Sequence, residues 1–117
     1  MHILLVDDDA GSLLGMKIAL EILGHTCDTY TDPLQAMRDC IGLGYIYKYD
    51  AVITDIHMPA IDGIKLAGLL QFLVPELKVV IISGFVNDAI RQHAKHHGFS
   101  TLLPKPVSIQ ELSASLQ

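Results

Sequence analysis

Four aspartates, a serine and a lysine occupy places in this sequence where their chemistry can be shared. Asp7, Asp8 and Asp9 follow the apolar run Ile3-Leu4-Leu5-Val6, and Asp55 follows Ala51-Val52-Ile53-Thr54. Ser83 follows Lys78-Val79-Val80-Ile81-Ile82, and Lys105 comes just after Thr101-Leu102-Leu103. Short apolar runs of this kind read as strands buried on both faces. Each polar side chain then stands just past the C-terminal end of a strand, the edge where open parallel sheets bind ligands. Carboxylates gathered at one edge repel one another and call for a cation. Hard oxygen donors, with no His or Cys at the strand ends, favour Mg²⁺ or Mn²⁺ over zinc. A divalent ion, an ammonium and a hydroxyl around a carboxylate suit phosphoryl transfer, with Asp55 as the group that accepts it. Asp9 has a second reading as a helix cap.

The elements that must position these groups alternate along the chain. Strands are expected at 3–6, 26–30, 51–54, 78–82 and 101–103. The intervening helices are expected at 12–23, stopped by Gly24, and from Asp32-Pro33 to about residue 41. Three more are expected at 64–73, at 86–97 before Gly98, and at 108–116 with Ser108 as cap. Residues 42–49, with Tyr45, Tyr47 and Tyr49, read as a loop in which the tyrosines pack. Five βα units in a row imply a parallel sheet with helices on both faces.

Composition narrows the function. The chain has 117 residues, half of them apolar, and a formal net charge of −5. One domain over residues 1–117 is expected, with no output domain beside it. No basic stripe suits direct nucleic-acid binding. No apolar run approaches the roughly 18 residues of a membrane span, and no signal-peptide pattern opens the chain, so a cytoplasmic location is expected. Cys27 and Cys40 lack the spacing of a disulfide or zinc motif.

Taken together, Ile3–Asp8, Asp50–Pro59, Asp62-Gly63, Val80–Gly84 and Leu103–Pro106 resemble, in order and spacing, the receiver domain of two-component response regulators. The resemblance covers the whole chain. It implies a doubly wound (βα)5 α/β fold with strand order 2-1-3-4-5, as in flavodoxin. It implies a regulator rather than an enzyme, one that assists its own phosphorylation and dephosphorylation. In this family's pattern Asp55 attacks the phosphohistidine of a histidine kinase or histidine phosphotransfer protein. Asp8 and Asp55 ligate Mg²⁺ directly, Asp7 through water, and His57 by its backbone carbonyl. Lys105 pairs with Asp55 and then with the phosphoryl oxygens, and Ser83 moves in to hydrogen-bond them. The peptide before Pro106 is cis in many relatives. Helix 4, strand 5 and helix 5 form an output or homodimer surface, and helix 1 docks the phosphodonor, here through Leu14 and Ile18.

The sequence also departs from that pattern. Leu102 stands where the family usually has Tyr or Phe, so the usual inward swing of a ring is missing. Phe85 and His57 are placed to border the path of the hydrolytic water. His93, His96 and His97, with Arg91 and Lys95, read as a solvated basic face, with a metal site as the alternative. Two other functions stay open: a degenerate receiver that binds partners without being phosphorylated, and a haloacid-dehalogenase-type phosphatase with Asp7 as nucleophile. The latter needs a downstream acidic pair, and Glu111 is the only acid after Lys105.

Overall fold

The computed structural model describes residues 1–117. Five strands, β1 (His2–Val6), β2 (Thr26–Tyr30), β3 (Ala51–Asp55), β4 (Lys78–Ser83) and β5 (Leu102–Pro104), form one parallel sheet in the order β2-β1-β3-β4-β5. The strand order changes direction at β1, so the ends of β1 and β3 flank a crevice. No helix is long and apolar enough to cross a membrane.

The alternation of side chains along the strands builds two cores. Leu4, Val6, Val52, Val79 and Ile81 point to one face, where they pack with Ile64, Leu66 and Leu70 of α3 (Gly63–Leu73) and Ala94 of α4 (Asp88–His96). Ile3, Leu5, Ile53, Val80 and Ile82 point to the other. There they meet Leu13, Met16 and Leu20 of α1 (Ala10–Ile22) and Leu112 of α5 (Ile109–Ser115). The central strands are apolar on both sides because both sides are covered.

Helix ends follow the capping residues. Asp9 caps α1, its Oδ1 accepting from the N–H groups of Gly11 and Ser12, so α1 starts earlier than the expected residue 12. Asn87 caps α4 through the Ile90 N–H, so α4 starts later than the expected residue 86. Ser108 and Glu111 form a reciprocal capping box on α5. The second helix, α2 (Pro33–Met37), continues as a π-helical turn over Arg38–Gly42. The expected loop beyond it holds a short 3-10 turn, Tyr45–Lys48. Of its tyrosines, Tyr49 is buried and donates to Asp28 at 2.6 Å, whereas Tyr45 and Tyr47 are exposed.

Candidate phosphoacceptor site

Asp55 is the last residue of β3 and is almost fully buried, as are Asp7 and Ser83 at the ends of β1 and β4. The Asp55 carboxylate is held from two sides. The Ile56 N–H donates to its Oδ1 at 2.8 Å, and the Lys105 Nζ donates to its Oδ2 at 3.0 Å. The same ammonium lies 2.7 Å from Oδ2 of Asp7. Lys105 thus stands between the ends of β1 and β3, although it enters from beyond β5. Its backbone N–H donates to the Ser83 carbonyl at 2.8 Å, and the peptide it forms with Pro106 is cis.

The electrostatics reflect crowding. Burial pushes the Asp55 carboxyl above its ordinary value; Lys105 pulls it back, the Asp7 charge adds to the rise, and the Ile56 N–H opposes it. Burial pushes the Lys105 ammonium down, but its hydrogen bonds and charge pairing with Asp7 and Asp55 outweigh this and hold it above its ordinary value. One ammonium faces two buried carboxylates.

The donor set fits a hard divalent cation. Asp7, Asp8 and Asp55 each offer a carboxylate oxygen, and these oxygens lie within 4.8 Å of one another. Oδ2 of Asp7 is buried, and the Lys105 ammonium 2.7 Å away is its polar partner. Asp8 is exposed at the mouth, and the His57 carbonyl beyond β3 accepts no hydrogen bond from the protein. Carboxylate and carbonyl oxygens of this kind are the hard donors that match Mg²⁺.

Ser83 is near but occupied. Its hydroxyl donates to the Phe85 carbonyl at 2.7 Å and accepts from the Phe85 N–H at 3.2 Å. The Phe85 ring itself is 64% exposed. Leu102, in β5, is half-buried against the core cluster beneath α3 and α4.

Two features of the site escape a reading of residue types. Gly63 opens α3 so close to β3 that a Cβ there would lie 1.6 Å from the Asp55 carbonyl oxygen. Its N–H donates to the Ile56 carbonyl at 3.0 Å, closing the loop that carries His57. Next to it, Asp62 caps α3 through the Ile64 N–H and also meets His93 Nε2 of α4 at 2.9 Å. His93 is therefore not part of a freely solvated face: it ties α4 to the loop beside Asp55. Its ring also meets His97 edge-on, with centroids 4.9 Å apart. The spacing of Asp62-Gly63 after Asp55 is plain in the sequence, but the approach of the backbones is not.

A family model described as the response regulator receiver domain matches residues 3–117. The chain is 29% identical to a solved response regulator receiver domain protein from Clostridium thermocellum, with 98% of this chain and 90% of that one covered and a TM-score of 0.87. It is 29% identical over 98% of its length to the sensor kinase CckA of Brucella abortus, matching 12% of that protein. It is 27% identical over 99% of its length to the transcriptional regulatory protein PrrA of Mycobacterium leprae, matching 48% of that protein. The chain thus spans half or less of the lengths of the curated relatives it matches.

Proposed function

This chain belongs to the response regulator receiver domain family, and on that premise we propose that it is a phosphoacceptor switch acting in the cytosol. Asp55 takes a phosphoryl group from the phosphohistidine of a histidine kinase or a histidine phosphotransfer protein. An oxygen of Asp55 bonds to phosphorus as the P–N bond to the donor imidazole breaks, and the leaving imidazole keeps the electron pair and takes up a proton. One observation carries this reading: three carboxylates and a single ammonium meet around Asp55 at the edge of the sheet.

The roles follow from position. Lys105, already on Oδ2 of Asp55, is placed to follow the negative charge onto the phosphoryl oxygens. Asp8 and Asp55 would hold Mg²⁺ directly, with the His57 carbonyl, and Asp7 would hold it through water. Bound there, the ion offsets the charge of the incoming group. Ser83 leaves the Phe85 backbone to bond a phosphoryl oxygen, which frees the loop that leads into α4. Leu102 has no ring to follow that movement, so the Asp62–His93 contact gives α4 a second connection to the site. The change is read on the α4–β5–α5 surface by a downstream partner or a second copy in the phosphorylated state.

Incubation with acetyl phosphate and Mg²⁺ tests this directly by intact mass. A gain of one phosphoryl group, lost when EDTA removes the metal, is expected. No gain under either condition would instead support a degenerate receiver that only binds partners. Turnover of a small phosphate ester without a stable mass gain would support the phosphatase reading with Asp7 as nucleophile.

The donor has a surface to meet. Leu14, Ile18 and Ile22 follow one another at single-turn spacing on the outer side of α1, and all three are at least half exposed. The stripe begins beside the acidic pocket, where α1 emerges from Asp9. Leu14→Glu is expected to slow transfer from a phosphohistidine donor by about tenfold or more. Uptake from acetyl phosphate, which needs no helix to dock on, should stay as it was. Equal loss with both donors would place the effect in the pocket rather than on this stripe.

A further inference from the structure

The outward face of α3 carries an apolar patch that the phosphoacceptor site does not use. Phe72 is 84% exposed, with Leu69 and Leu73 exposed beside it. Lys65, Gly68, Leu69 and Phe72 line an open groove along the helix, bordered by His97 at the C-terminal cap of the neighbouring α4. Its floor is Gly68, where an added Cβ would meet no atom within 4 Å. Glycine weakens a helix interior relative to alanine. Nothing inside this fold requires it at position 68, and the open face it leaves lets another surface approach the helix closely.

The patch is complementary to itself. Phe72 is a projecting ring, and Gly68, one helical turn earlier on the same stripe, is the matching hollow. When two copies of α3 lie antiparallel across a two-fold axis, each Phe72 comes over the Gly68 of the other copy. The charges agree with this direction. Lys65 is exposed in the first turn of α3, and Glu76 is exposed just beyond its end. An antiparallel arrangement therefore sets the Lys65 end of each helix beside the Glu76 end of the other, unlike charge near unlike. A parallel register sets like charge against like. Antiparallel helix dipoles favour the same choice.

We propose that the outer face of α3 is a homodimer contact, occupied by the α3 of a second copy in antiparallel register. It goes beyond the phosphoacceptor reading and does not depend on phosphorylation. The contact is one helix wide, at the small end of specific interfaces, so it forms a weak and reversible dimer.

Sedimentation equilibrium of the unphosphorylated chain from about 10 μM to about 1 mM tests it. A monomer–dimer equilibrium is expected. Phe72→Glu and Gly68→Gln, both at solvent-facing positions, should each raise the dimer Kd by about tenfold or more with the melting temperature preserved. Lys65→Glu and Glu76→Lys should each weaken the dimer, and the double variant should recover most of the loss, a rescue that a merely structural effect would not produce. A monomer across the whole range overturns the proposal. So does a dimer that Phe72→Glu leaves intact, one that Lys95→Glu on α4 disperses instead, or a charge-swapped pair no tighter than its single variants.

Discussion

Replacing Asp55 with Asn is expected to abolish phosphoryl uptake while leaving the fold standing. The carboxylate accepts two hydrogen bonds, from the Ile56 N–H at 2.8 Å and from Lys105 at 3.0 Å. An amide of the same shape offers one oxygen. It satisfies Ile56 or Lys105 but turns its NH₂ toward the other, setting donor against donor. A hydrogen bond to a charged group is worth about 1.5–3 kcal/mol. Against that loss stands the relief of burying a neutral group in place of a charge that also repels Asp7. The two effects are of similar size and opposite sign, so the melting temperature should move by only a few degrees. Reactivity has no such compensation, because the amide has no carboxylate oxygen to bond to phosphorus. Intact mass after acetyl phosphate and Mg²⁺ should show the unmodified chain alone. A mass gain that survives the substitution would assign the phosphoryl group to another residue, Asp7 being the next buried carboxylate.

Gly63→Ala should damage both stability and the site, although it adds a single methyl group. An ordinary carbon–oxygen contact needs 3.4–4 Å, and this methyl would stand 1.6 Å from the Asp55 carbonyl oxygen and 2.7 Å from its carbonyl carbon. The atoms in the way are backbone, so no rotamer change makes room. Either α3 moves outward, stretching the Gly63 N–H bond to the Ile56 carbonyl, or the end of β3 moves and takes Asp55 with it. Overpacking usually costs about 1–3 kcal/mol, and a clash with rigid backbone belongs at the upper end. A fall of about 10 °C or more in melting temperature is therefore expected, with slower phosphoryl uptake by whatever remains folded. Gly68→Ala in the same helix supplies the contrast. That position is open and has ordinary helical φ, so alanine there should stabilise the monomer by about 0.5–1 kcal/mol. Urea unfolding of the two variants reads both effects. Equal stability of wild type and Gly63→Ala would show that the α3–β3 approach is not tight.

Local and distant information divide clearly in this molecule. Runs such as Ile3–Val6 and Val79–Ile82 are apolar on consecutive residues because both faces of the sheet are covered, and that signal lies within a few positions. Asp32-Pro33 and Ser108 mark helix starts for the same local reason. Residues 42–49 mislead because a 3-10 turn has neither the length nor the periodicity to register as a pattern. The α4 boundary shifts because Asn87, not the apolar Val86, supplies the cap.

Residue order alone therefore specifies the strands, their alternation with helices, and the position of Asp55 at the end of one of them. It also places Asp7, Asp8, Ser83 and Lys105 at strand ends, since each follows closely on a strand-like run. Which of these groups touch is settled by packing in three dimensions. Lys105 reaches both Asp7 and Asp55 because the order β2-β1-β3-β4-β5 sets the ends of β1 and β3 side by side beneath the segment leaving β5. Ser83 turns to the Phe85 backbone, Gly63 meets the Asp55 carbonyl, and His93 finds Asp62 across 31 residues of chain. The cause is one of range. Strand and helix signals come from side-chain periodicity between near neighbours, whereas these contacts depend on how distant elements pack, which no short stretch of residues encodes.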